Sequence, residues 1–291
     1  MATLLHAIVE PGFFSSAPVR LAAEMGALVA IVAAVVGVFT VVRGQAFSGE
    51  ALGDIGATGG ASAYLAGISS VWGFVGISVL AAAAMELIGV QRARGRDIAT
   101  GVVLGAGFGL AALLIYLGTL QTSTSGSTVT ILFGSPFTLS PSDLPLVLGF
   151  GALVLVTLAA LYRPLLLASI SPELAAARGL PVRLIGVAYL MALAVAVALS
   201  AVTIGAILST ALLVGPAATA LALTNRPGRA LALAAMIGVA ATWLGLLLAY
   251  DSYYWPPRHH GWPPSFFIVA LVLIGYLAVA ARRGGGRRGA R

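Results

Sequence analysis

Glu50 and Asp54 are the residues with chemistry to offer. They stand four apart in the stretch EALGDIGATGG, residues 50–60, within a chain that is otherwise suited to lipid. On a helix that spacing puts both carboxylates on one face, about 6 Å apart at Cβ. Such a pair can bind a hard cation, relay protons, or sit as a buried structural pair, sharing one proton between the two acids or hydrogen-bonded to backbone and small hydroxyls. An ionisable side chain at membrane depth costs at least ~2.5 kcal/mol on insertion scales and is kept where it meets a partner, a cavity or an ion. No arginine lies in the same segment, and five glycines between Gly49 and Gly60 let other backbones come close.

The element holding the pair must work inside a bilayer. Of 291 residues, 60% are hydrophobic and 9% charged, and the mean hydropathy is +1.04. That balance belongs to an all-α polytopic membrane protein, read here as a single domain over residues 1–291. With no cysteine there is no disulfide, thiolate metal site or cysteine nucleophile. No His–acid or Ser–His spacing places a nucleophile beside a base, so the chain is not read as an enzyme. All sixteen basic residues are arginine. Without lysine a G-x-x-x-x-G-K-S/T phosphate loop is impossible, and any ATP that drives this protein is hydrolysed by another chain. The charge of +7 comes from arginines spread between apolar spans, which points to membrane topology and not to nucleic acid. Residues 1–18 lack a basic start and a cleavage site, so the first span is expected to act as its own insertion signal.

Segments able to cross ~30 Å of hydrocarbon fall at about 19–42, 71–91, 97–118, 144–163, 183–202, 204–223, 229–250 and 265–282. The stretch 46–67 is too polar and glycine-rich to face lipid, yet long enough to span if surrounded by protein. Counting it gives nine spans with the N-terminus outside. Every arginine except Arg20 and Arg258 then falls on the cytoplasmic side, as the positive-inside bias demands. Leaving it out gives eight spans and splits the arginines between the two sides.

The connection 119–143 is uncharged until Asp143, with a turn expected at 134–136, and reads as external. The last external loop, from Asp251 to Phe267, gathers Tyr253, Tyr254, Trp255 and Trp262 among four prolines, an interfacial aromatic belt in which His259 and His260 are ordinary polar residues. The basic tail 282–291 is expected to be disordered and cytosolic, near anionic lipid headgroups. In the seventh span Pro216 is the expected point of kinking. Gly101, Gly105 and Gly109 on the fourth span form an expected close-packing face. Glu86, beside Arg92, is expected to pair or snorkel. Between the fifth and sixth spans, SPELAAARGLP has Ser171 as N-cap, Pro172 at the first helical position and Gly179 at the stop. A helix so short and polar projects from the membrane, where another protein can grip it.

Five blocks in order, RGQAFSGEALGD, GRDIATGVVLGAGFGLA, LFGSPFTLSPSDL, SPELAAARGLPVR and TIGAILSTALLVGPAATALAL, resemble the permeases of bacterial ABC importers for zinc and manganese across almost the whole chain. The resemblance implies a type II ABC-importer-like permease in the bacterial cytoplasmic membrane. It works as a homodimer or pseudo-dimer, with a cytosolic ATP-binding subunit and an extracytoplasmic metal-binding protein. It implies that Ser171, Pro172, Glu173, Leu174, Ala175, Ala176, Ala177, Arg178 and Gly179 form the coupling helix that meets the ATPase. It also implies that Glu50 and Asp54 line the metal path. The family's Asp and His become Glu and Asp here, leaving hard oxygen ligands that suit Mn²⁺ better than Zn²⁺. The expected function is import of a divalent metal, manganese or zinc, with no permanently bound cofactor. The competing expectation is a secondary transporter in which Glu50 and Asp54 relay protons or cations.

Overall fold

The computed structural model describes residues 16–88, most of 100–117, 140–253, 255 and 261–288. These residues form helices and turns, with no strand among them. The helices are α1 (Ala17–Val42), α2 (Ala46–Leu65), α3 (Ser70–Ile88), α4 (Leu144–Ile170), α5 (Pro172–Ala177), α6 (Val182–Ile204), α7 (Ala206–Leu223), α8 (Pro227–Ser252) and α9 (Pro264–Arg288). The described residues of 100–117 are helical as well. Six helices among the described residues are long and apolar enough to cross a membrane: α1, α3, α4, α6, α8 and α9. The expected count of nine exceeds these six by α2, α7 and the 100–117 stretch. Of the three, α2 is too polar, while α7 is an 18-residue helix from Ala206 to Leu223 and 100–117 is described only in part.

Burial separates centre from rim. In α6, 78% of the apolar stretch is buried, against 22% in α4. Helix α6 packs on α1, α2, α3, α4 and α7, while α8 and α9 close around α7 and the far side of α1. The large side chains at the middle are Met25, Leu52, Met85, Leu190, Leu193 and Leu199, all fully buried. Burying a side chain of this kind is worth about 1.5–3 kcal/mol in water. In a bilayer it is tight packing, not exclusion from water, that holds the helices together.

That distinction explains α2. Each interior glycine costs a helix about 1 kcal/mol relative to alanine, yet five occur here. They allow backbone contact: a Cβ on Gly59 would collide with the carbonyl of Gly73 on α3, and one on Gly53 would meet Ser209 Oγ at 2.8 Å. Small hydroxyls stitch the same contacts, with Ser78 Oγ donating to Leu52 O at 3.0 Å and Thr58 Oγ1 to Gly107 O at 3.2 Å. Residues 51–61 of α2 are buried throughout.

Several expectations are corrected. The break in the α6–α7 region is at Gly205, with φ 95° and ψ 151°, a conformation that is essentially glycine's alone. Helix α7 continues through Pro216, which does not break it. Helix α4 likewise continues past Pro164 to Ile170, seven residues beyond the expected end of its span at 163. Among the described residues nothing lies within 4 Å of the Cβ positions of Gly101, Gly105 and Gly109, whereas Gly107, on another face, packs against Ile55. Asp251 is the buried end of α8 and not the start of an open loop. Helix α9 extends through the basic tail to Arg288, where disorder was expected from 282, because extending an existing helix needs no new nucleus. The turn expected at 134–136, Arg92, Tyr254, His259 and His260 lie outside the described residues.

Candidate functional site

Helix α2 carries both acids on one face, and they meet different surroundings. Glu50, one turn into the helix, is exposed, whereas Asp54, one turn deeper, is only 8% exposed. The Asp54 carboxylate accepts no hydrogen bond from any described residue, so among those residues no donor compensates its burial. Its neighbour Gly53 is pressed against Ser209, Val197 and the Ala206 carbonyl, so the α6–α7 reversal lies beside the middle of α2. Among the described residues no group of three or more His, Asp or Glu side chains could hold a metal ion. At α2 the described residues therefore offer two carboxylates, fewer ligands than a divalent cation takes.

The short helix α5 forms as its end signals predict. Ser171 Oγ accepts from the Leu174 N–H at 3.3 Å, and Pro172 takes the first helical position. At the other end Gly179 has φ 74°. The Gly179 N–H donates to Ala176 O at 2.9 Å and the Leu180 N–H to Ala175 O at 3.1 Å, the paired bonds of a Schellman stop. Ala175 is fully buried against the bundle, while Pro172, Glu173, Leu174, Ala176, Ala177, Arg178 and Gly179 are exposed. A capped, rigid knob seated on one alanine presents nearly its whole surface outward.

Near this end, Glu86 Oε1 meets Arg183 Nε at 3.4 Å, so an arginine from α6 neutralises it. Arg183 is 80% exposed, and such a pair adds little stability. Sequence reading missed the cluster formed by Thr40, Arg43, Gln45, Ser169 and Tyr189. Tyr189 is fully buried and its hydroxyl lies 2.7 Å from Thr40 Oγ1. One tyrosine within the otherwise apolar run 184–199 was the available signal, because a buried phenol needs a polar partner.

Residues 18–277 match the model of the ABC 3 transport family. The chain belongs to that family. It is 36% identical over 226 residues to the manganese transport system membrane protein MntC of Halalkalibacterium halodurans, covering 77% of this chain and 76% of the relative. It is 30% identical over 223 residues to the manganese import system permease protein ScaB of Streptococcus parasanguinis, covering 77% and 78%. Its fold is similar to a chain of PsaBC from Streptococcus pneumoniae, solved in complex with a Fab, with a TM-score of 0.78, 26% identity and 95% of each chain covered. This ABC 3 family member is a multi-pass protein of the bacterial cytoplasmic membrane, and its relatives are transporter subunits, which are not themselves enzymes.

Proposed function

We propose that this chain is the membrane-spanning permease of an ABC importer that carries a divalent metal cation, Mn²⁺ by preference, into the cytoplasm. A separate ATP-binding subunit drives it and an extracytoplasmic protein delivers the metal. The manganese systems named for its relatives support the substrate class, and the lack of lysine supports the separate ATPase. The observation that carries the metal path is Asp54, a carboxylate 8% exposed and without a hydrogen-bond donor among the described residues.

In this reading α2, α7 and the 100–117 stretch complete nine spans, the N-terminus is outside, and α5 faces the cytoplasm. Two protomers pair so that two copies of α2 contribute four carboxylates. Exposed Glu50 meets the ion's remaining water and buried Asp54 replaces part of its hydration shell. Carboxylate oxygens suit Mn²⁺, but intrinsic affinity for the divalent series runs against it. Geometry and the delivering protein therefore supply the selectivity. ATP binding closes the ATPase dimer, which pushes α5 and switches access to the path.

The test is co-expression with the neighbouring ATP-binding subunit, co-purification, and reconstitution into liposomes. ATP-dependent uptake of radiolabelled Mn²⁺ supports the reading. A permease that neither retains an ATPase nor moves Mn²⁺ when ATP is supplied refutes it.

A further inference from the structure

We propose that Arg43 is a positioning residue that locks both flanks of α5 to the start of α2, so that displacement of α5 reaches the helix bearing Glu50 and Asp54. The proposal rests on the permease reading above, in which α5 receives the ATPase's push.

Arg43 follows α1 and precedes α2 by three positions. Its guanidinium meets three elements at once. Nε donates to Gln45 Oε1 at 3.1 Å, Nη1 donates to Ser169 Oγ at 3.3 Å, and Cζ lies 5.0 Å from the centroid of the Tyr189 ring. Each partner has a defined place. Gln45 is the last residue before α2, is buried, and accepts at its backbone carbonyl from the Gly49 N–H at 3.1 Å, which joins it to the first turn of that helix. Ser169 is in the last turn of α4, two residues before the Ser171 cap of α5. Tyr189 is on α6, the helix that follows α5.

Arg43 thus grips the element before α5 and the element after it. A push on so short a helix has to leave through α4 or α6, and both routes converge on this guanidinium. The planar fork can donate in two directions while stacking on an aromatic face, which a lysine ammonium does not reproduce. The platform is firm, because Tyr189 is fully buried and bonded to Thr40, whose Oγ1 also donates to Val36 O at 3.0 Å. The end of α4 is less confined. A cavity of about 290 Å³, lined in part by Phe39, Tyr162, Leu166 and Ile170, lies against it and leaves space for a shift. A firm platform on one side of the arginine and a yielding helix end on the other let one contact carry movement without melting.

The experiment uses the permease–ATPase complex in liposomes, with Mn²⁺ uptake and phosphate release measured in the same vesicles. For Arg43→Met, assembly and ATP hydrolysis stay near the wild-type level. Mn²⁺ moved per ATP falls roughly tenfold, within the usual range of coupling between sites. Arg43→Lys recovers part of the ratio, and Ser169→Ala, which removes a single acceptor, lowers it by a smaller factor. An unchanged ratio in these variants overturns the proposal. So does a proportional fall of hydrolysis, uptake and ATPase association, since that marks a merely structural residue. If Arg43→Met does not assemble, Arg43→Lys and Ser169→Ala decide by the same ratio. Failure of the permease reading shows in the wild-type complex as absence of uptake, whereas failure of this proposal shows only in the variants.

Discussion

Replacing Asp54 with asparagine separates a cation ligand from a structural acid, because the two roles predict opposite signs for stability. Asparagine keeps the volume and removes the charge. Asp54 is 8% exposed and no described residue donates to it, so the substitution breaks no hydrogen bond with the described residues. It is instead relieved of part of the ~2.5–3.5 kcal/mol that a charged aspartate costs at the centre of a membrane helix. Thermal stability of the purified permease should therefore hold or rise. The ion is affected in the other direction. At ~4 Å and an effective dielectric constant of ~20, unit charges attract by about 4 kcal/mol, and a divalent ion doubles this. Desolvation returns most of the gain. A net loss of about 2–3 kcal/mol remains, which is roughly 30- to 150-fold in apparent affinity. The assay is the concentration dependence of Mn²⁺ uptake in liposomes, read beside a melting curve. Asp54→His, which restores an imidazole, should shift preference toward Zn²⁺. A melting temperature that drops in Asp54→Asn while the uptake curve stays in place would make Asp54 structural and refute the reasoning.

Three further outcomes follow from the same geometry. Ala176 is exposed on α5, so Ala176→Glu should abolish co-purification of the ATPase without changing the permease's melting temperature; retained association would remove α5 from the interface. A cysteine at Ser125 should react with an impermeant thiol reagent in intact cells and one at Ser171 should not, and the reverse pattern would invert the topology. Gly59→Val places a Cβ against the Gly73 carbonyl and should cost at least the ~1–3 kcal/mol usual for overpacking, read as a lower melting temperature. Gly76→Val, where nothing lies within 4 Å, should melt near the wild-type temperature.

What could be read from the chain alone was what local chemistry decides. The bounds of α5 follow from Ser171 through its capping hydroxyl, and from Pro172 and Gly179 through their backbone preferences. Helix α2 could be recognised as an interior element because it is too polar for lipid and too long for a loop. Proline did not mark an end: Pro164 and Pro216 each remove one hydrogen bond, yet both sit inside helices that continue. A tertiary setting can satisfy the freed carbonyl. Gly205 turned the chain because its backbone angles, not its missing side chain, were the requirement. The glycine stripe at 101, 105 and 109 was legible as a pattern, but a stripe does not say which face meets a neighbour. The Arg43 cluster was beyond reach, since its contact with Ser169 spans 126 positions and nothing local to either residue announces the other.

The polarity of α2 also bears on how the molecule can move. A helix with five glycines and two acids cannot face hydrocarbon, so it must be surrounded, and its partners include α3, α6, α7 and the 100–117 stretch. Contact through glycine leaves no room for closer approach: a Cβ at Gly53 would meet Ser209 and one at Gly59 would meet Gly73. A rearrangement of α6 and α7 toward α2 therefore displaces the helix that carries the carboxylates. At Gly205 these two helices join through a single residue beside the middle of α2, and near its other end α6 holds Tyr189 beneath Arg43. One helix thus touches both the end where α5 is attached and the depth at which Asp54 lies. A stiff connection of that kind lets a small displacement at one end change the surroundings of a buried charge at the other.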